Sequence, residues 1–278
     1  MNTLIILFGD FAVAFRRLLP YMAYNLVLLL AYLFVISIFS FFHFILGHEF
    51  NLIEIFVQEN IWMVLTISKL IGFFIIYQYY KIQSFKHSLT WAYLTKSFEL
   101  PSRSFYVVLT FLFLFFVIQL RPELNEKWSF VDVVGHFVGH SVYFFTDFLV
   151  VSYLIKVDRP KTKGDTTLTL SLASLFFGVL SYVIVPSGEN FSFFFVFGFF
   201  LMLFFYIRKE GWGASVWVLL FFNNVLNVFF GQDIFVEENI GLFHCERGLG
   251  WPEISLAFIL CLIYLKFRYF SWSHPHIN

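Results

Sequence analysis

The sequence predicts an all-α polytopic membrane protein, a transmembrane helix bundle of about eight spans with both termini cytoplasmic and short interfacial helices. Three observations predict it: composition, the spacing of apolar stretches, and the sidedness of charge. The 278 residues are 60% hydrophobic and 13% charged, with mean hydropathy +0.80. Soluble domains carry about 25% charged residues. A globule of this size must coat its surface with polar groups, and this chain has too few of them. Lipid removes that conflict, and the 44 Phe suit a lipid-facing surface.

A helix needs about 20 apolar residues to cross ~30 Å of hydrocarbon, and ~17 at the least. Eight stretches qualify or nearly so: 21–46, 61–80, 105–120, 133–155, 168–186, 191–207, 214–231 and 252–270. The third and sixth are short but Phe-rich. Membrane strands are excluded because these stretches are apolar on every side rather than at alternate residues.

Direction follows from Lys and Arg near the span ends. Of 18 basic residues, 14 fall on one side, namely Arg16, Arg17, Lys81, Lys86, Lys96, Arg103, Lys156, Arg159, Lys161, Lys163, Arg208, Lys209, Lys266 and Arg268. Only Arg121, Lys127 and Arg247 fall on the other, and Lys69 is intramembrane. Twelve of the 18 acidic residues lie on the side opposite the basic majority. A miscounted span would scramble this alternation. The expectation is a single integral domain over 1–278, multi-pass in a bacterial inner membrane.

The connecting segments follow in order. Residues 1–20 hold an apolar run, the small-x-small triplet Ala12-Val13-Ala14, and Asp10 as an early interruption. No basic residue precedes the run, so residues 3–18 are expected to form an interfacial helix rather than a cleaved signal. Over 81–104, Ile82, Phe85, Leu89 and Ala92 recur at helical spacing among Lys81, Lys86 and Lys96. That pattern fits an amphipathic helix on the cytoplasmic leaflet, or a plain basic loop. Residues 156–166 are polar and contain Pro160 and Gly164, which predicts a mobile loop. Ser187-Gly188-Glu189-Asn190 after Pro186 predicts a tight turn. Cys261 lies in an apolar run and Cys245 in an outer loop, so no disulfide framework is implied. Zero net charge gives no general attraction to nucleic acid.

Ionisable groups at membrane depth are costly and mark functional candidates. The fourth span contributes His136, His140 and Asp147, with Tyr143 on the same helix face; the second contributes Lys69; the seventh contributes Asn223, Asn224 and Asn227. At about 1.5 Å per residue, His140 lies roughly 10 Å below the outer end of its span. Lys69 and Asn223 lie at roughly 12 Å and Asn227 at roughly 6 Å, whereas Asp147 is deeper, at roughly 21 Å. The first four therefore fall in one shallow outer slab. Asp147 calls for a basic group from a neighbouring span or a shared proton.

His136 and His140, at i and i+4, present two imidazoles on one face and could hold zinc or copper, completed by His244, Cys245 or a carboxylate. Equally, Gly135-His136 and Gly139-His140 could form a small-xxx-small helix contact. Lys69 could simply snorkel to the outer interface, and the Asn side chains could be structural hydrogen-bonders.

Three functions fit. In a membrane-embedded enzyme, His136, His140, Lys69 and Asp147 would be catalytic, and Asn223, Asn227 and Tyr143 would bind a lipid or membrane-anchored substrate. In a transporter, Lys69, His140 and Asp147 would form a charge or proton path. In a non-catalytic subunit, apolar faces would contact membrane lipids and other membrane subunits.

Two motif classes fail. Gly211-Trp212-Gly213-Ala214-Ser215 superficially resembles an intramembrane serine protease motif but has no following glycine and no histidine in the last span. Span number and length are similar to the glutamate-dependent intramembrane peptidases. Glu237-Glu238, however, lacks an arginine at the required spacing and precedes only one span.

Overall fold

The computed structural model describes residues 2–47, 61–83, 103–124, 129–184, 198–204 and 243–245, together with positions 217, 224, 255, 256, 259, 260 and 263. The chain is helical, with α1 (Asn2–Ile45), α2 (Ile61–Gln83), α3 (Arg103–Leu120), α4 (Phe130–Val157) and α5 (Lys163–Ile184). A further helical stretch covers 198–204. Strand β1 (Pro122–Leu124) pairs antiparallel with β2 (Phe243–Cys245), placing Glu123 opposite His244. This ribbon joins two segments that the charge count puts on the same face.

Two described helices are long and apolar enough to cross a membrane, Phe8–Ile45 within α1 and Val133–Val157 within α4. They differ in surroundings. Only 17% of the apolar window of α1 is buried, against 78% of that of α4. α1 is therefore peripheral, with Leu26, Leu30, Leu33, Phe34, Phe41 and Phe42 exposed on its flank, and α4 is central. Shorter apolar helices run over Met63–Tyr79, Phe105–Leu120 and Gly164–Leu180.

α1 runs through Pro20 without a break, so residues 3–18 continue the same helix as the first span. Its 44 residues measure roughly 66 Å, about twice the ~30 Å hydrocarbon thickness of a bilayer. Pro20 lacks an N–H and leaves the Arg16 carbonyl without its usual helical donor. The helix stops at Gly47, whose φ of 75° is the left-handed conformation that glycine adopts without penalty. Its N–H returns to the Phe44 carbonyl at 3.0 Å. α3 ends at Arg121, held at φ 44° with its N–H on the Val117 carbonyl at 3.2 Å, and Pro122 prevents continuation.

α1 packs along α2 and α5, and α2 packs along α4. Gly72 of α2 allows a close approach, since a Cβ there would meet Leu28 Cδ1 of α1 at 3.4 Å. At the centre, Phe144 of α4, Phe177 of α5 and Phe199 form a continuous aromatic stack, with centroids 5.2 and 4.2 Å apart. Tilted and offset ring pairs of this kind add to the burial they provide.

The expected mobile loop at 156–166 is instead ordered. α4 continues to Val157 and α5 begins at Lys163. Thr162 caps α5, its Oγ1 accepting the Asp165 N–H at 2.9 Å and its carbonyl the Thr166 N–H at 3.0 Å. Two helix ends and a satisfied cap leave a five-residue link too constrained to wander. The stretches predicted at 81–104 and 187–190 lie largely or wholly outside the described residues.

Candidate functional site

Inside the bundle, most small polar side chains bond back to their own helix. Ser68 donates to the Val64 carbonyl at 2.6 Å, Thr146 to that of Val142 at 2.9 Å, and Asn25 to that of Tyr21 at 2.8 Å. Such bonds satisfy a hydroxyl or amide without a partner helix. Charged side chains have no such recourse.

Lys69 of α2 therefore meets Asp147 of α4, with Nζ donating to Oδ2 at 2.5 Å. Both side chains are 1% exposed. The ammonium also lies 4.0 Å from the ring centroid of Tyr143 and 5.8 Å from that of Tyr24 on α1. Aromatic faces attract a cation electrostatically, most strongly when it is desolvated. One carboxylate oxygen and two rings thus replace the water shell that the lysine gave up.

Satisfaction is incomplete on the other side of the carboxylate. Asp147 Oδ1 and the hydroxyls of Tyr21 and Tyr24 are buried without a well-formed hydrogen-bond partner among the described residues. The Tyr24 hydroxyl is near enough to Asp147 to interact with it. Three helices, α1, α2 and α4, thus close around one ion pair whose acceptor capacity is not filled.

Along α4 the polar face continues. His136, His140, Tyr143 and Asp147 follow one another at helical spacing, His136 at the edge of burial and the other three essentially inaccessible. The His140 ring stacks on Phe144 at 6.2 Å. Over eleven residues this row extends roughly 16 Å. Beside it, Asn224 is fully buried and its amide nitrogen donates to Ser141 Oγ at 2.7 Å. The sequence segment of the seventh span therefore touches α4 between the two levels of interest.

Of the residues singled out from sequence, the structure brings together Lys69, Asp147 and Tyr143. It does not keep Lys69 in a shallow slab apart from Asp147. The depth count assumed that the helices begin at a common level, and the ion pair brings the two side chains together despite their different distances from the starts of α2 and α4. Asn223 and Asn227 lie outside the described residues. Among the described residues no three His, Cys, Asp or Glu side chains gather as a metal-binding group. His136 and His140 lie one turn apart on one face of α4, and the backbone pairing puts His244 opposite Glu123 in the ribbon.

A second cluster was not foreseen. Arg17 of α1 grips Asp165 of α5 with two nitrogens, Nη1 to Oδ1 at 2.6 Å and Nη2 to Oδ2 at 3.1 Å. Nη1 also donates to Thr169 Oγ1 at 2.6 Å, and Nε lies 3.3 Å from Asp158. The Lys161 N–H donates to Asp165 Oδ2 at 3.1 Å. Asp165 precedes the apolar stretch 168–186. Burial opposes its ionisation, but hydrogen bonds from Arg17 and the Lys161 N–H overcome this and hold the carboxyl below its ordinary range. The Thr162-Lys163-Gly164-Asp165 spacing, a cap followed three residues later by an acid, was the available signal.

Comparison of the chain with protein-family models, with curated proteins and with solved structures finds no match, so the site's own geometry carries the functional argument.

Proposed function

We propose that the chain is an eight-span inner-membrane protein, N-in and C-in, that moves a small solute or ion in step with a proton exchanged at Lys69–Asp147. The observation that carries this reading is the ion pair itself, at 2.5 Å and 1% exposure, joining two helices in a chain made for lipid. Ionisable pairs at membrane depth are expensive, and a packed apolar pair would hold two helices at lower cost. The topology draws support from two contacts. Arg17 meets Asp165, both assigned to the cytoplasmic side, and β1 meets β2, both assigned to the outer side.

The chemistry is a proton transfer with balanced charge. In the ion pair, Lys69 holds the proton and Asp147 is anionic. Passing that proton from Nζ to Oδ2 leaves an amine and a carboxylic acid, both neutral and both cheaper in a low-dielectric interior than separated charges. A proton arriving at Asp147 from outside the pair instead leaves the Lys69 cation without its counter-ion. The link between α2 and α4 then weakens, and the lysine becomes free to hold an anion. The row His136, His140, Tyr143 supplies groups able to accept and donate protons between Asp147 and the end of α4 nearer Phe130.

The outer-leaflet enzyme reading asks Lys69 to join His136, His140, Asn223 and Asn227. The described contacts take Lys69 to Asp147 instead, which favours transport. A test is charge displacement on a solid-supported membrane carrying proteoliposomes of the purified protein. A pH jump is expected to evoke a transient current in the wild type, lost in Asp147→Asn and in Lys69→Met. A folded wild-type protein giving no transient would leave the pair a static fastener and defeat the proposal.

A further inference from the structure

α1 and α2 touch closely at Leu28 and Gly72 and part beyond that point. The gap holds a cleft of about 660 Å³, lined by Leu19, Pro20, Ala23 and Val27 of α1 and Ile75, Ile76 and Tyr79 of α2. Its volume falls in the ~300–1,000 Å³ range of small-molecule sites. Apart from the Tyr79 hydroxyl, its lining side chains are apolar. It is a slot for hydrocarbon.

The lining of the slot carries no charge, but α1 offers one a turn beyond it. Arg16 lies one turn before Pro20, and positions 16, 20, 23 and 27 share one face of α1 by helical spacing. Its neighbour Arg17 is committed to Asp165, whereas Arg16 is exposed and makes no ion pair among the described residues. Pro20 leaves the Arg16 carbonyl short of its helical donor, so an acceptor sits beside the cation. An apolar slot with one exposed cation and one spare acceptor a helical turn beyond its lining matches an acidic lipid. The chain would enter the slot, the phosphate would meet Arg16, and a headgroup hydroxyl would reach the carbonyl.

We propose that this cleft is a binding site for one anionic phospholipid of the cytoplasmic leaflet, with an acyl chain between α1 and α2 and its phosphate at Arg16. The inference rests on the N-in topology proposed above, because that orientation puts the cleft in the leaflet with the acidic surface. The proton-coupling step is not needed for it. Bound there, the lipid would wedge α1 from α2, the helix that carries Lys69, and its occupancy bears directly on how tightly α2 is held.

Native mass spectrometry of the full chain, released from nanodiscs of equal phosphatidylglycerol and phosphatidylcholine with identical chains, reads the occupant. The wild type is expected to retain one lipid and to favour phosphatidylglycerol about fivefold, the contribution of one arginine at an acidic surface. Arg16→Gln should keep a lipid but lose the preference. Ala23→Trp, at an exposed cleft position, should lose the lipid while its helical content and melting match the wild type. Retention of the lipid in folded Ala23→Trp, or equal retention of both lipids by the wild type, would overturn the assignment. Should Ala23→Trp fail to fold, Val27→Phe is the second variant and must show the same loss. The same proteins are mapped for Lys161 and Lys127 accessibility from each side of the membrane. An inverted pattern would fell the topology, whereas a correct pattern with no bound lipid would fell the cleft alone.

Discussion

Among the described residues, two ion pairs join helices, and they are built on different plans. Arg17–Asp165 is densely bonded, although the guanidinium Nε, 3.3 Å from Asp158, makes no hydrogen bond. The guanidinium uses both terminal nitrogens on the carboxylate, Thr169 takes a further bond, and the Lys161 N–H and the Thr162 cap complete the set. Lys69–Asp147 is sparser, one charged contact cushioned by two tyrosine rings, with the Tyr24 hydroxyl near the carboxylate but no well-formed hydrogen bond on Oδ1. Planar, bidentate pairing gives a fixed geometry, while a lysine on a flexible stem can let go and re-form. On the proposed reading the forked pair fastens and the single lysine contact switches, because a proton arriving at Asp147 removes the charge that holds Lys69.

The largest effect should come from stranding one partner of the sparse pair. Asp147→Asn or Lys69→Met, measured by thermal unfolding in lipid, should each cost about 3–5 kcal/mol. Their pH responses must differ in sign. Lys69→Met leaves a carboxylate that a proton can neutralise, so its stability should recover on acidification. Asp147→Asn leaves an ammonium that must lose a proton, so its stability should recover as pH rises. Lys69→Met/Asp147→Asn should return most of the stability at every pH and none of the charge displacement. Equal, pH-independent losses in both single variants would erase the distinction between the two pairs.

Breaking the forked pair should cost less, because Asp165 keeps its bonds from the Lys161 N–H and the Thr169 hydroxyl. Arg17→Ala is expected to lose about 2–3 kcal/mol, with Arg17→Lys recovering only part of it because an ammonium cannot pair in the same fork. This pair should also show an acid limit. Asp165 is held below the ordinary carboxylate range of about 3.9, so its contribution is full above that value and disappears as pH falls through the lowered one. Arg17→Ala should therefore remove a component of stability that is present at neutral pH and already absent in strong acid.

The smallest changes lie at the rim. Asp158 is 60% exposed on its side of Arg17, so Asp158→Asn should fall within about 0.5 kcal/mol. A Cβ on Gly164 would sit 2.5 Å from Asp10 Oδ2. Gly164→Ala should displace that carboxylate from the start of α5 and cost under about 1 kcal/mol, because the displaced atom is the end of a mobile side chain. A loss there as large as that of Arg17→Ala would mean that the start of α1 is more firmly seated than this comparison allows.

Helix content and the two long apolar helices were legible because apolar run length and period are local properties. That Asp147 would seek a basic partner was legible too, since a lone carboxylate at depth has few alternatives. Its partner's identity was not. Lys69 was assigned a level from its distance to the start of its own span, and nothing in either sequence stretch records how α2 and α4 are set against each other. Tyr24 and Tyr21 went unmarked for a related reason. A tyrosine in an apolar run reads as packing until the fold turns its face toward a charge. Arg17 was read only as a topological marker, since one residue in a basic pair carries no sign of which will turn inward. The link at 156–166 was misread from its polar composition, although its Thr-x-x-Asp spacing carried the cap.

The measurement closest to the central claim is infrared difference spectroscopy of the protein in lipid as the bathing pH is lowered, wild type beside Asp147→Asn. The account predicts a protonated-carboxylic-acid band that grows on acidification in the wild type and is missing from the variant, marking Asp147 as the group that takes the proton. A spectrum without that band, or one that Asp147→Asn leaves unchanged, would contradict it and make Lys69–Asp147 a second fastener.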